Sequence, residues 1–173
     1  ALADGISSSE VSQIASESAV SGFLEDYYCT PDAWTVRTSA ERVLVATNSW
    51  LHAQTQQSQH RFDMDRGYVC TFSALVLKST TAHVFHVGDT RVYHLRAAAL
   101  EQLTDDHRVW VSSTQSYLSR ALGIDRKLDI DYLTVPVEQG DVFRSRPRTL
   151  RDLICGEPIA HFTYELGSAW KAS

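Results

Sequence analysis

Near residue 60 the apolar side chains of this chain change their period, so no single kind of element can accommodate both halves. Residues 8–28, "SSEVSQIASESAVSGFLEDYY", place Val11, Ile14, Ala15, Ala19, Phe23 and Leu24 close to helical spacing. Ser7, Ser8 or Ser9 can cap that start by accepting a backbone N–H. A second helix is predicted over residues 33–57, with Asp32 as N-cap and Val36, Ala40, Val43, Leu44, Thr47, Trp50 and Leu51 as its apolar stripe. From residue 68 the text turns β-branched and aromatic: "YVCTFSALVLKS", then "TAHVFHVGDTRVYHLRAAALEQLT". Lys78-Ser79-Thr80 separates the first two strands, Gly88-Asp89 interrupts the next pair, and Ala97-Ala98-Ala99 turns the chain. The pattern predicts a meander of consecutive antiparallel strands. "DDHRVW" reads as a loop, "SSTQSYLSRALG" as a short helix closed by Gly123, and "LDIDYLTVPV" as a further strand.

At 173 residues the chain suits one domain with a sizeable core. A net charge of −5 argues against a nucleic-acid binder that works through a general basic surface. No apolar run approaches the ~20 residues that span a bilayer, and no signal peptide is recognisable. Cys29, Cys70 and Cys155 are odd in number and scattered, which indicates neither a disulfide framework nor a zinc site. A reducing cytoplasm is the expected compartment. The opening "ALADGISSS" runs from apolar residues straight into Asp-Gly, as though the chain starts inside a fold.

After "EQGDVF" the character changes. Residues 144–151 carry four arginines in eight positions, and no sustained period follows. The strand entered at Asp141-Val142-Phe143 is expected to stop there, with a short helix near Leu150–Ile154 as one option. Residues 144–173 therefore read as a divergent tail, of the kind that a shifted reading frame produces. The arginines read as a solvated segment before a nucleic-acid contact.

Several groups are candidates for chemistry. Asp105-Asp106-His107 and Asp63/Asp65 could each bind a hard cation. His83 and His86 face opposite sides of a predicted strand and cannot share an ion, so with His94 they read as surface or packing residues. The glycine–aspartate pair at Gly88-Asp89 has a plain alternative as a turn.

Order and spacing say more than any one motif. "ADGISSSEVSQIASESAVSGFLEDYY", "GYVCTFSALVL", "AHVFHVGDTRVYHLR", "LEQLTDDHR" and "YLSRALG" follow one another within about residues 2–143. In this the chain resembles the metal-dependent type 2C protein serine/threonine phosphatases, bacterial branch, and in particular the phosphatase domains fused to protein kinases. The resemblance implies an α+β fold, an α-β-β-α sandwich of two antiparallel sheets flanked by helices, incomplete here at both ends. It implies hydrolysis of phosphoserine and phosphothreonine in a phosphoprotein substrate by water activated at a pair of Mn²⁺ or Mg²⁺ ions. By motif, Asp4 is the carboxylate that bridges the metals and the Gly5 carbonyl ligates one of them. Asp89 of "GDTR" faces the centre or braces its loops, and Asp106 and His107 support the flap beside it.

The family pattern also contains elements not found in this sequence: a phosphate-binding arginine and an Asn-x-Asp upstream, a second Asp-Gly and an Asp-Asn pair downstream. The expectation is therefore a partial domain over residues 1–143 with impaired metal binding. The alternative is a non-catalytic, phosphatase-like interaction module. Open strand edges lead to an expected homodimer or strand exchange.

Overall fold

A computed structural model describes residues 1–6, 10–63, 66–112 and 115–146, together with the backbone of Phe162–Glu165. Helix α1 runs over Glu10–Tyr28 and helix α2 over Val36–Gln57, near the predicted bounds. The cap of α2 is Thr35, not Asp32: its hydroxyl accepts the Thr38 amide at 3.1 Å. A turn closed by the Trp34 amide on the Pro31 carbonyl, at 2.9 Å, takes up the residues after Asp32 and delays the helix. On α1 the buried line is Ser12, Ala15, Ala19 and Phe23, whereas Ile14 and Leu24 of the predicted stripe are exposed. On α2 the apolar stripe holds except at Trp50, which is exposed; the polar Asn48 is buried instead. Its amide group accepts the Gly123 N–H at 2.8 Å and donates to the Asp125 carbonyl at 2.9 Å, tying the helix to a distant loop.

Strands β1 (Phe72–Lys78), β2 (Thr81–Val87) and β7 (Asp131–Pro136) form one antiparallel sheet in the order β1-β2-β7. Strands β3 (Arg91–Arg96), β4 (Ala99–Gln102), β8 (Val142–Arg146) and β9 (Phe162–Glu165) form a second, in the order β4-β3-β8-β9. Lys78 pairs with Thr81 and Arg96 with Ala99, so Ser79-Thr80 and Ala97-Ala98 are two-residue hairpin loops. Both alanines have positive φ, 47° and 67°.

Between the two hairpins the prediction of a continuous meander fails. β2 and β3 are not neighbours; Gly88-Asp89-Thr90 carries the chain from one sheet to the other. The predicted loop at "DDHRVW" and the predicted helix after it also give way, to a hairpin of β5 (Arg108–Trp110) and β6 (Ser116–Leu118). The strand expected to end at Phe143 continues to Arg146 and pairs with both β3 and β9. The option of a helix near Leu150–Ile154 lies outside the described residues.

α1 and α2 lie against each other and share a core with Phe72, Ala74, Phe85 and Leu122, which places the helices on one face of the first sheet. A smaller apolar layer of Ala82, Val137 and Phe143, with Leu75, Leu77 and Val135 against it, joins that sheet to the second. β2, central in its sheet, is thus buried on both faces. Fully buried side chains such as Phe72, Phe85, Leu44 and Leu51 contribute about 1.5–3 kcal/mol each. No helix among the described residues is long and apolar enough to cross a membrane.

Candidate functional site

Thr71, just before β1, joins the two turns that carry the predicted acids. Its amide donates to the Asp4 carbonyl at 2.8 Å, and the Asp4 amide donates to the Thr71 hydroxyl at 3.2 Å. The same hydroxyl lies 2.8 Å from the Thr90 hydroxyl. Gly88 has φ +114°, and a Cβ there would fall 2.7 Å from Thr71 Cβ and Cγ2. Only glycine lets the second turn sit this closely on Thr71. At the first turn a Cβ on Gly5 would fall 2.8 Å from Ser12 Cβ, so that turn is seated on α1. Asp4, Gly5, Thr71, Asp89, Arg108 and Ser116 consequently line one cavity of about 190 Å³.

Charge within this cavity is already partly compensated. Arg108 Nη1 donates to Asp89 Oδ2 at 2.7 Å, the two side chains being 20% and 13% exposed. Behind the cavity, burial and then the charge of Asp4 push the Cys70 thiol up to about 12, so Cys70 is an inert core group and not a nucleophile.

His107 holds the Asp89 turn from the other side. Its Nδ1 accepts the Gly88 amide at 3.0 Å, and its own amide donates to the Gly88 carbonyl at 2.8 Å. Because Nδ1 accepts, the proton of the neutral ring sits on Nε2, which meets Asp131 Oδ2 at 2.8 Å. Arg120 donates to the other Asp131 oxygen at 2.7 Å. Burial alone would raise the Asp131 carboxyl, but the bonds from His107 and Arg120 outweigh it and hold it below its ordinary value. Asp106 is gripped in a fork by Arg91, at 2.8 and 2.7 Å.

The idea of one hard-cation site at Asp105-Asp106-His107 is corrected by these partners. Asp106 faces Arg91, whereas Asp105 lines a different cavity, of about 370 Å³, with Arg37, Asp131 and Tyr132. For the Asp63/Asp65 pair, Asp65 lies outside the described residues. The three strand histidines are packing groups. His83 meets the Tyr132 hydroxyl at 2.9 Å and is half-buried; His86 is buried between Ser73 and the Asp105 carbonyl; His94 is buried against Phe143.

Whether these residues suit a metal pair follows from the donor set. Two divalent ions ~3.5–4 Å apart repel each other and require several anionic ligands. Among the described residues no three His, Cys, Asp or Glu side chains come together in a way that could hold an ion. The cavity offers the carboxylates Asp4 and Asp89, and Asp89 is paired with Arg108. The described residues do not fit a pair of ions.

Thr71, Arg108 and Asp131 complete the candidate site without belonging to any motif in the sequence. Arg108 directly follows a recognised "DDH" and its adjacency was the available signal; Thr71 and Asp131 act across 67 and 24 residues, beyond any local pattern.

Comparison with known proteins agrees with this architecture. Residues 1–141 match the family model described as Protein phosphatase 2C. The serine/threonine phosphatase stp of Listeria welshimeri serovar 6b is 26% identical, over 95% of this chain and 67% of its own length. The crystal structure of the Mycobacterium tuberculosis serine/threonine phosphatase PstP/Ppp has the same fold, with a TM-score of 0.69 at 19% identity, over 89% of this chain and 69% of that one. The catalytic domain of PstP in complex with two manganese ions gives 0.68 at 20% identity, over 89% and 68%. This chain thus spans about two thirds of the length of these relatives. With most of its length matched by the family model and its sheets laid out as in these structures, the chain belongs to the protein phosphatase 2C family.

Proposed function

We propose that this chain is a protein serine/threonine phosphatase domain that hydrolyses phosphoserine and phosphothreonine in phosphoproteins. Asp4 and the Gly5 carbonyl are assigned as ligands for Mn²⁺ or Mg²⁺, Asp89 as the second acid facing that ion, and Asp106 and His107 as supports of the neighbouring turns. The observation that carries this reading is the convergence of Asp4, Gly5 and Asp89, distant in sequence, on one cavity. Hard anionic and carbonyl oxygens are the donors such ions prefer. No hydrolytic step is assigned to a metal pair, because the described ligands do not fit one.

The ion pair between Asp89 and Arg108 favours a second reading, a non-catalytic module that retains the phosphatase scaffold for binding. Phosphate release from a phosphothreonine peptide during a Mn²⁺ titration separates the two. Release that disappears in Asp4→Asn supports the enzyme; none at any Mn²⁺ concentration from folded protein supports the module.

A further inference from the structure

We propose that Arg108 is a built-in cation of this cavity, which competes with divalent ions for Asp89 and limits the cavity to a single ion. The proposal rests on the reading of Asp4, Gly5 and Asp89 as a cation site and adds what sets its capacity.

Arg108 begins β5, opposite Leu118 on β6. Its guanidinium is fixed along one edge by Ser116. Nε donates to the Ser116 hydroxyl at 2.8 Å and Nη2 to the Ser116 carbonyl at 2.8 Å, so Nη1 is aimed at Asp89 Oδ2, 2.7 Å away. A planar fork held in this way is a fixed positive charge and not a swinging side chain. Asp89 is fixed as well, because Gly88 just before it is held by His107 and by Thr71. Two groups positioned from separate elements meet with little exposed surface between them. An ion approaching Asp89 must therefore share its carboxylate with a fixed like charge that already holds Oδ2. The two oxygens of Asp89 cannot satisfy both cations at full strength. The Asp4–Gly5 side of the cavity is seated on α1 and belongs to a different segment of chain from the Asp89–Arg108 pair.

Mn²⁺ binding to the intact chain tests this, by calorimetry for stoichiometry and by electron paramagnetic resonance for coupling between adjacent ions. Wild type is expected to bind one ion. Arg108→Gln should bind a second ion, or bind the first at least about tenfold more tightly, and Asp89→Asn in that background should remove the gain. Arg108→Lys, which keeps the charge, should stay near wild type in stoichiometry. A folded Arg108→Gln protein with unchanged stoichiometry and affinity overturns the proposal while leaving the cation site standing. Absence of binding in wild type and all variants overturns both. Should Arg108→Gln fail to fold, Mg²⁺ titration of wild type followed at the Arg108 Nε–H NMR signal decides. One ion bound with that signal unmoved supports the competition; two ions bound with it unmoved overturn it.

Discussion

His107 and Gly88 exchange a double contact: the Gly88 amide donates to the imidazole Nδ1 at 3.0 Å, and the His107 amide donates to the Gly88 carbonyl at 2.8 Å. The ring thereby fixes the peptide immediately before Asp89. His107→Ala leaves the buried Gly88 amide without its acceptor and takes a partner from Asp131. It should cost about 2–4 kcal/mol in chemical denaturation. His107→Asn, whose side-chain oxygen can replace Nδ1 but not reach Asp131, should lose about half as much.

Two glycines make a matched pair of tests. Gly88 combines φ +114° with a 2.7 Å approach to Thr71, whereas Gly22 lies within α1 with open space where a Cβ would be. Gly88→Ala should destabilise by more than about 2 kcal/mol. Gly22→Ala should stabilise by about 0.5–1 kcal/mol through helix propensity alone. Thermal melts of both variants measure the contrast.

The β3–β4 loop is built from residues poorly suited to it. Ala97 and Ala98 both sit at positive φ in a two-residue hairpin, a shape that favours Asn-Gly. The double variant Ala97→Asn/Ala98→Gly should raise stability by about 1 kcal/mol, read from the denaturant midpoint.

Acid should weaken the fold in two windows. Burial first, and then the charge of neighbouring His107, lower His86 from 6.5 to about 4. Its folded value is depressed, so its contribution is complete above pH 6.5 and falls away as pH drops toward about 4, by about 2–3 kcal/mol. The Arg96 fork lowers Asp141 from 3.8 to about 2, with burial opposing it. That stability is present above 3.8 and is lost as pH falls to about 2, by about 2 kcal/mol. Denaturation curves from pH 2 to 7 should flatten in the upper window for His86→Asn and in the lower for Arg96→Gln.

Much of this fold is legible in the sequence. Val43, Leu44 and Leu51 recur over enough turns of α2 for the helical period to emerge, and β1 and β2 are long and β-branched. The β5–β6 hairpin was not legible. Its strands have three residues each, and Val109, Trp110 and Tyr117 are exposed, so neither length nor alternation marks them. The crossing between sheets at Gly88-Asp89 was hidden for another reason. A glycine–aspartate pair reads the same in a hairpin and in a crossover, and the difference lies in Thr71, which fills the space that a Cβ on Gly88 would need. At the candidate site, Asp4 and Asp89 stand out by motif and line one cavity, whereas Arg108 is held toward Asp89 by Ser116 on the returning strand.

The tight seat of Gly5 on Ser12 has a mechanical consequence. With no room for a side chain between that turn and Ser12, any residue larger than glycine at position 5 would wedge the Asp4 turn away from the start of α1.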